Sequence, residues 1–151
     1  GLTLGAAESC TGGLIAKRIT DLAGASAVFR GGVVSYTNEV KANVLGVPRD
    51  LLDEQSAVCA DVARAMAEGA RRVLGCDLAV SATGVAGPDS DERGNPVGLV
   101  YVALAAPDGC WVRRLDLAGP SDRRDRVRTM AASHAFDMVR RHLAGLPIKT
   151  L

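Results

Sequence analysis

Two short stretches of this chain hold residue types suited to chemistry. The run Glu8-Ser9-Cys10-Thr11-Gly12-Gly13 follows an apolar stretch, Leu2 to Ala7, and opens a helical pattern through Leu14, Ile15, Ile19 and Leu22. A strand that runs into a helix through a serine, a threonine and two glycines puts a hydroxyl and several backbone N–H groups at the edge of a sheet. Such a turn can present a nucleophile and stabilise an anion. It can equally be a tight connection in which Gly12 and Gly13 only relieve backbone crowding.

The second stretch is Tyr36-Thr37-Asn38-Glu39-Val40-Lys41. Asn38 reads as the N-cap of a short helix ending near Gly46, with Pro48 beyond it and Lys41 at its third position. A cation there meets the positive end of the helix dipole, at a cost of about 0.3–1 kcal/mol. Burial adds a further push toward the neutral amine. A neutral amine can take a proton from a hydroxyl, so Lys41 reads as a general base if it is buried and as a solvated lysine if it is not.

The elements that must position these groups follow from periodicity. Residues 2–7 read as a buried strand and 12–22 as a helix. Ala27 to Tyr36 reads as a second strand, with a bulge or a close backbone approach at Gly31-Gly32. A longer helix is expected over Ala60 to Leu74. Its apolar stripe is Val62, Met66, Ala70 and Val73, and Arg64, Glu68, Arg71 and Arg72 take the wet side. Asp77 to Thr83 is a strand ending in the loop Gly84 to Pro88. Val97–Ala106 and Cys110–Leu117 are strands joined by a Pro107-Asp108-Gly109 hairpin turn, and a closing helix covers Ser121 to Leu143. Strands alternating with helices predict a three-layer α/β/α fold on a mixed, mostly parallel five-stranded sheet, in one domain over 1–151. Ser9, Tyr36 and Thr83-Gly84 then fall at the carboxyl ends of parallel strands, where open α/β sheets collect ligands.

Composition narrows the partners. Of 151 residues, 48% are hydrophobic but only 3% aromatic, so the core must be built from Ala, Val and Leu. A formal net charge of +1, with no basic stripe interleaved with aromatics, argues against nucleic acid. No apolar run is long enough to span a membrane, and no signal peptide opens the sequence. Cys10, Cys59, Cys76 and Cys110 are far apart and lack a C-x-x-C pair, which suits a reducing cytoplasm and speaks against zinc or disulfides. Position 1 is Gly with a strand at once, and the expectation is that a segment preceded it.

The motifs Ala7-Glu8-Ser9-Cys10-Thr11-Gly12-Gly13, Tyr36-x-Asn38-x-x-Lys41, Ala82-Thr83-Gly84-Val85-Ala86-Gly87-Pro88 and Pro96-Val97-Gly98 occur in this order. Together they resemble the CinA C-terminal domain family and its stand-alone relatives, the nicotinamide-nucleotide amidases, from Gly1 to about Leu143. The resemblance implies hydrolysis of the carboxamide of nicotinamide mononucleotide, with Ser9 as nucleophile, Lys41 as base and Tyr36 assisting proton transfer. It also implies the three-layer fold and no metal or other cofactor. The remaining substrate contacts are expected from Thr11, Gly12, Gly13, Asn38, Thr83 and Gly84, with Arg123 or Arg124 completing them. The resemblance and the apolar hairpin together point to a homo-oligomer.

Two departures from the family pattern stand out. Where the family carries a glycine pair and a lysine, this chain has the acidic segment Asp89-Ser90-Asp91-Glu92-Arg93-Gly94-Asn95, which reads as a solvated surface loop. The Gly-Asp-Arg signature of the last helix is blurred into Gly119-Pro120-Ser121-Asp122-Arg123-Arg124, and Arg124, four before Arg128, fits the family spacing better than Arg123. These departures sustain a rival reading, a non-catalytic nucleotide-binding or interaction module. Cys10, next to Ser9, should point the opposite way and be buried. His134 and His142 lack partners at metal-ligand spacing and read as packing or surface residues.

Overall fold

The computed structural model describes residues 1–119 and 124–150. Five strands, β1 (Leu4–Glu8), β2 (Phe29–Val34), β3 (Leu78–Gly84), β4 (Leu99–Ala106) and β5 (Gly109–Asp116), form one sheet in the order β2-β1-β3-β4-β5. β1 pairs in parallel with β2 and β3, while β4 runs antiparallel to both β3 and β5. The register between β1 and β2 shifts by one residue at Arg30, a bulge beside the Gly31-Gly32 pair.

Period-two alternation divides the core between the two faces. Ala6, Val80, Val100 and Val102 pack with α1 (Leu14–Thr20) and α5 (Arg124–Leu143) on one face. Ala7 and Ala79 pack on the other with α2 (Asn38–Leu45), α3 (Arg49–Gln55) and α4 (Ala60–Leu74). The result is a three-layer α/β/α sandwich whose helices cover both sheet faces. Among the described residues no helix is long and apolar enough to cross a membrane.

Three expectations need correction. The cap of α2 is Thr37, whose hydroxyl accepts from Val40 N, so Asn38 is the first helical residue and Lys41 the fourth. Both residues are good caps, and the extended backbone of Thr37 decides between them. Helix α3 is absent from the sequence reading. It is one acid-rich run begun by Pro48 that buries only Leu52, too little periodicity to register. Val73, assigned to the apolar stripe of α4, is 48% exposed because the stripe runs in steps of four through Val62, Met66 and Ala70 to Leu74, which packs on the core in its place. Residues 121–123, expected to open the closing helix, lie outside the described residues.

The contact between α2 and α4 has no slack. A Cβ on Gly69 would stand 2.1 Å from the Leu45 carbonyl oxygen, so only glycine lets α4 approach the end of α2 this closely. Arg72, one turn on, donates from Nη2 to that same carbonyl at 2.8 Å. Gly69→Ala gains helix propensity but must push α2 outward, and overpacking of this kind costs roughly 1–3 kcal/mol. We expect a lower urea midpoint for Gly69→Ala. An unchanged midpoint would mean that α2 yields freely and does not depend on this contact.

Candidate functional site

The carboxyl ends of β1, β2 and β3 meet at the turn after β1. Ser9 N–H donates to Ala82 O at 2.9 Å and Ser35 N–H to Glu8 O at 2.8 Å, which ties the ends of the three strands together. Alternation carries Cys10 into the α1/α5 core, 5% exposed, as expected. Burial pushes its thiol up to about 12, so it stays protonated at neutral pH.

Lys41 is the decisive residue. It is 1% exposed, and its Nζ donates to Ser9 Oγ at 3.0 Å and to Ser35 O at 2.8 Å. Burial pushes its ammonium down from 10.5 to about 8, as the sequence reading anticipated for a lysine in this place. A hydroxyl and a largely desolvated amine in direct contact can exchange a proton, which is what an activated serine requires.

The glutamate that could have opposed this faces away. Glu8 is fully buried, and its carboxylate accepts from Gly13 N, Ile15 N and Ala16 N at the start of α1. An anion at a helix N-terminus is stabilised by the unpaired amides and the helix dipole. This occupancy corrects the expectation that the Thr11-Gly12-Gly13 amides are all open to a ligand. Gly13 N serves Glu8, and Gly12 N donates to Ser9 O at 3.0 Å. Gly12 and Gly13, at φ 56° and 98°, hold left-handed conformations that favour glycine. Among the described residues, the amides of Cys10 and Thr11 have no backbone or side-chain acceptor. Among the described residues the fully buried Thr11 hydroxyl also lacks a partner, as does that of Ser35.

A cavity of about 270 Å³ opens over Ser9, walled by Tyr36, Gly84, Gly87, Asp89, Asp91 and Arg124. Arg124 spans it, donating from Nη1 to Gly87 O at 2.6 Å and from Nη2 to the Tyr36 hydroxyl at 3.0 Å. Tyr36 is 59% exposed and, among the described residues, makes no hydrogen bond to Ser9 or Lys41. A second cavity of about 670 Å³ shares Tyr36 and Asp91 with the first, and Asn38 lines it.

Thr83 is placed elsewhere. Its hydroxyl donates to Ala57 O at 2.7 Å and fastens β3 to the loop before α4. Arg123 lies outside the described residues. The acidic loop is not simply a solvated surface, because Asp89 and Asp91 line the serine cavity. Asp91 accepts from Arg93 N, Asn95 N and Asn95 Nδ2, folding its own loop.

Sequence reasoning missed Arg128, which donates to Cys10 O at 3.2 Å and Thr11 O at 2.9 Å and clasps the turn from α5. Its one signal was its place a helical turn after Arg124. His134 and His142 bear out the packing reading: one contacts Arg113 and the other packs on Trp111.

Known proteins are similar to this chain in sequence and in fold. The family model of the CinA C-terminal domain matches residues 1–143. A CinA-like protein of Geobacter sulfurreducens is 59% identical over 143 residues, 95% of this chain but 34% of that protein. The chain thus spans about a third of that curated relative. Among solved structures, the competence damage-inducible protein A of Klebsiella pneumoniae superposes with a TM-score of 0.90 at 33% identity, covering 95% of this chain and 88% of that one. The competence/damage inducible protein CihA of Agrobacterium tumefaciens gives 0.87 at 38%, covering 92% and 84%.

The buried amine has a thermodynamic signature. The native lysine, near 8, holds its proton less tightly than the unfolded one, near 10.5. Between these values the unfolded chain binds more protons, so raising the pH stabilises the native state. Below pH 8 both states are protonated and the whole cost, on the order of 3 kcal/mol, is borne by the fold. The unfolding free energy of wild type relative to Lys41→Met should therefore rise from pH 8 to 10.5. A flat difference across that window would show that the lysine is not desolvated.

Proposed function

This chain belongs to the CinA C-terminal domain family, and on that premise we propose that it hydrolyses the carboxamide of nicotinamide mononucleotide. The products are nicotinic acid mononucleotide and ammonia. The observation that carries the reading is the 3.0 Å contact between Lys41 Nζ and Ser9 Oγ, made by an amine that burial keeps near 8.

Neutral Lys41 takes the Ser9 proton as Oγ attacks the carboxamide carbon. The free amides of Cys10 and Thr11 lie in the same turn and are the donors available to the oxyanion. Collapse of the tetrahedral intermediate breaks the C–N bond, and the lysine ammonium protonates the leaving amide nitrogen, which departs as ammonia. Lys41, neutral again, then deprotonates the water that hydrolyses the acyl ester and returns the proton to Ser9. Arg124, across the cavity, supplies a cation for the substrate phosphate. Tyr36 offers an exposed ring to the pyridine rather than a proton to the dyad.

Asp89 and Asp91 in the cavity wall oppose the substrate phosphate and favour the second reading, a non-catalytic binding or interaction module. One assay separates the two. Ammonia release from nicotinamide mononucleotide should be readily measured for the wild type and fall at least about 100-fold in Ser9→Ala and in Lys41→Arg, the scale of losing a general base. Arginine keeps the charge but supplies no neutral amine. Wild-type kcat/KM should also rise with pH through about 8, a limb that Lys41→Arg abolishes. Tight nucleotide binding without ammonia release by the wild type would establish the binder, and an active Ser9→Ala would remove the nucleophile.

A further inference from the structure

The far edge of the sheet carries a second concave site. A cavity of about 550 Å³ lies between the exposed face of α4 and the hairpin joining β4 to β5. Its lining includes Arg64, Arg71 and Arg72 against the single carboxylate of Glu68. Cys76, just before β3, and Ala106, at the end of antiparallel β4, place it at the end of the sheet opposite Ser9. The seven residues of β3 separate the two sites by roughly 20 Å at ~3.3 Å per residue.

The three guanidinium groups are held by main-chain oxygens rather than by acids. Arg64 Nη1 donates to Cys110 O at 2.9 Å, Arg71 Nε to Asp77 O at 2.8 Å and Arg72 Nη2 to Leu45 O at 2.8 Å. Among the described residues none of the three has a carboxylate oxygen within 4.0 Å. Each arginine therefore keeps its full charge and most of its five donors, while its stem is fixed. The two thiols in the lining do not offset that charge. Burial pushes Cys110 up to about 11 and Cys76 in the same direction, so both are neutral at physiological pH. Three like charges gathered at one cavity, with Glu68 and the nearby Asp77 offsetting them only in part, repel one another, and a bound anion relieves the repulsion. The rest of the lining, Ala105, Ala106, Pro107 and Gly109, is small and largely apolar. The volume falls in the range of small-molecule sites.

The geometry points to a second ligand site, distinct from the serine cavity, that binds a phosphorylated metabolite of mononucleotide size through Arg64 and Arg71. The phosphate engages the guanidinium forks and the organic part lies on the hairpin. Arg72 is committed to the end of α2, so it contributes field more than contact. The inference does not depend on what Ser9 does.

Calorimetric titration of the whole chain with AMP, inorganic pyrophosphate and adenosine tests it. AMP should bind and weaken as salt is raised, while adenosine, lacking the phosphate, should not compete with it. Arg64 is exposed, so Arg64→Gln keeps the fold. It should weaken AMP binding about tenfold or more, the scale of a hydrogen bond to a charged group. It should leave turnover at Ser9 unchanged. Arg71→Gln should weaken AMP binding likewise, with a thermal unfolding scan confirming that it is folded. AMP affinity that survives both substitutions but is lost in Arg124→Gln would overturn the proposal, since AMP would then bind only beside Ser9. Absence of AMP binding at millimolar concentration would overturn it as well, and pyrophosphate binding without AMP would refute the mononucleotide size.

Discussion

Everything at the serine depends on keeping a lysine amine dry and away from any carboxylate. Lys41 reaches two oxygens, both neutral, and burial lowers its proton affinity because neither supplies a compensating charge. The nearest acid in sequence to Ser9 is Glu8, equally buried, and strand alternation turns it to the other side of β1. There the start of α1 supplies three N–H donors to its carboxylate. One step along a strand thus separates an acid from a base that would otherwise pair and neutralise each other's chemistry. The glycines at 12 and 13 belong to the same solution, since they let the chain fold back far enough for α1 to meet Glu8.

The scaffold holds Lys41 from behind as firmly as Ser9 faces it. α2 is a short helix, and isolated helices of this length are unstable in water. Its position comes from α4: Gly69 lets the helices touch, and Arg72 closes the carbonyl of Leu45. Core packing and the dyad are therefore one problem. Alanine-rich faces on β1, β3 and β4 serve the same end, allowing helices to lie close to a sheet with few aromatic spacers.

How much of this was legible depends on which physics fixed each residue. The bounds of α4 follow from its amphipathic period and are met at Ala60 and Leu74. The presence of an antiparallel member follows from the hairpin turn and the burial of Cys10 from alternation, while the order of strands in the sheet carried no local signal. The dyad was legible as position plus charge, because Lys41 sits one turn past a strand end. Tertiary choices were not legible. Thr83 could face ligand or loop by type alone, and β3 places it with Ser81 on the α4 side, where both hydroxyls find main-chain carbonyls. Glu8 reads as a free acid until the helix it caps is in place. Arg128 contacts a turn more than a hundred residues away, a distance that no local pattern spans.

That last contact has a bearing on how the protein is made. The turn presenting Ser9 is synthesised well before Arg128, which clasps the Cys10 and Thr11 carbonyls and emerges 118 and 117 positions later. Lys41 stays hydrated until the strand ends and helices around it assemble, and a hydrated lysine remains an ordinary ammonium. On the ribosome, then, Ser9 is an unremarkable alcohol beside a solvated cation. The pairing of Lys41 with Ser9, and the clasp that holds their turn, thus wait on helices that follow both residues in the chain.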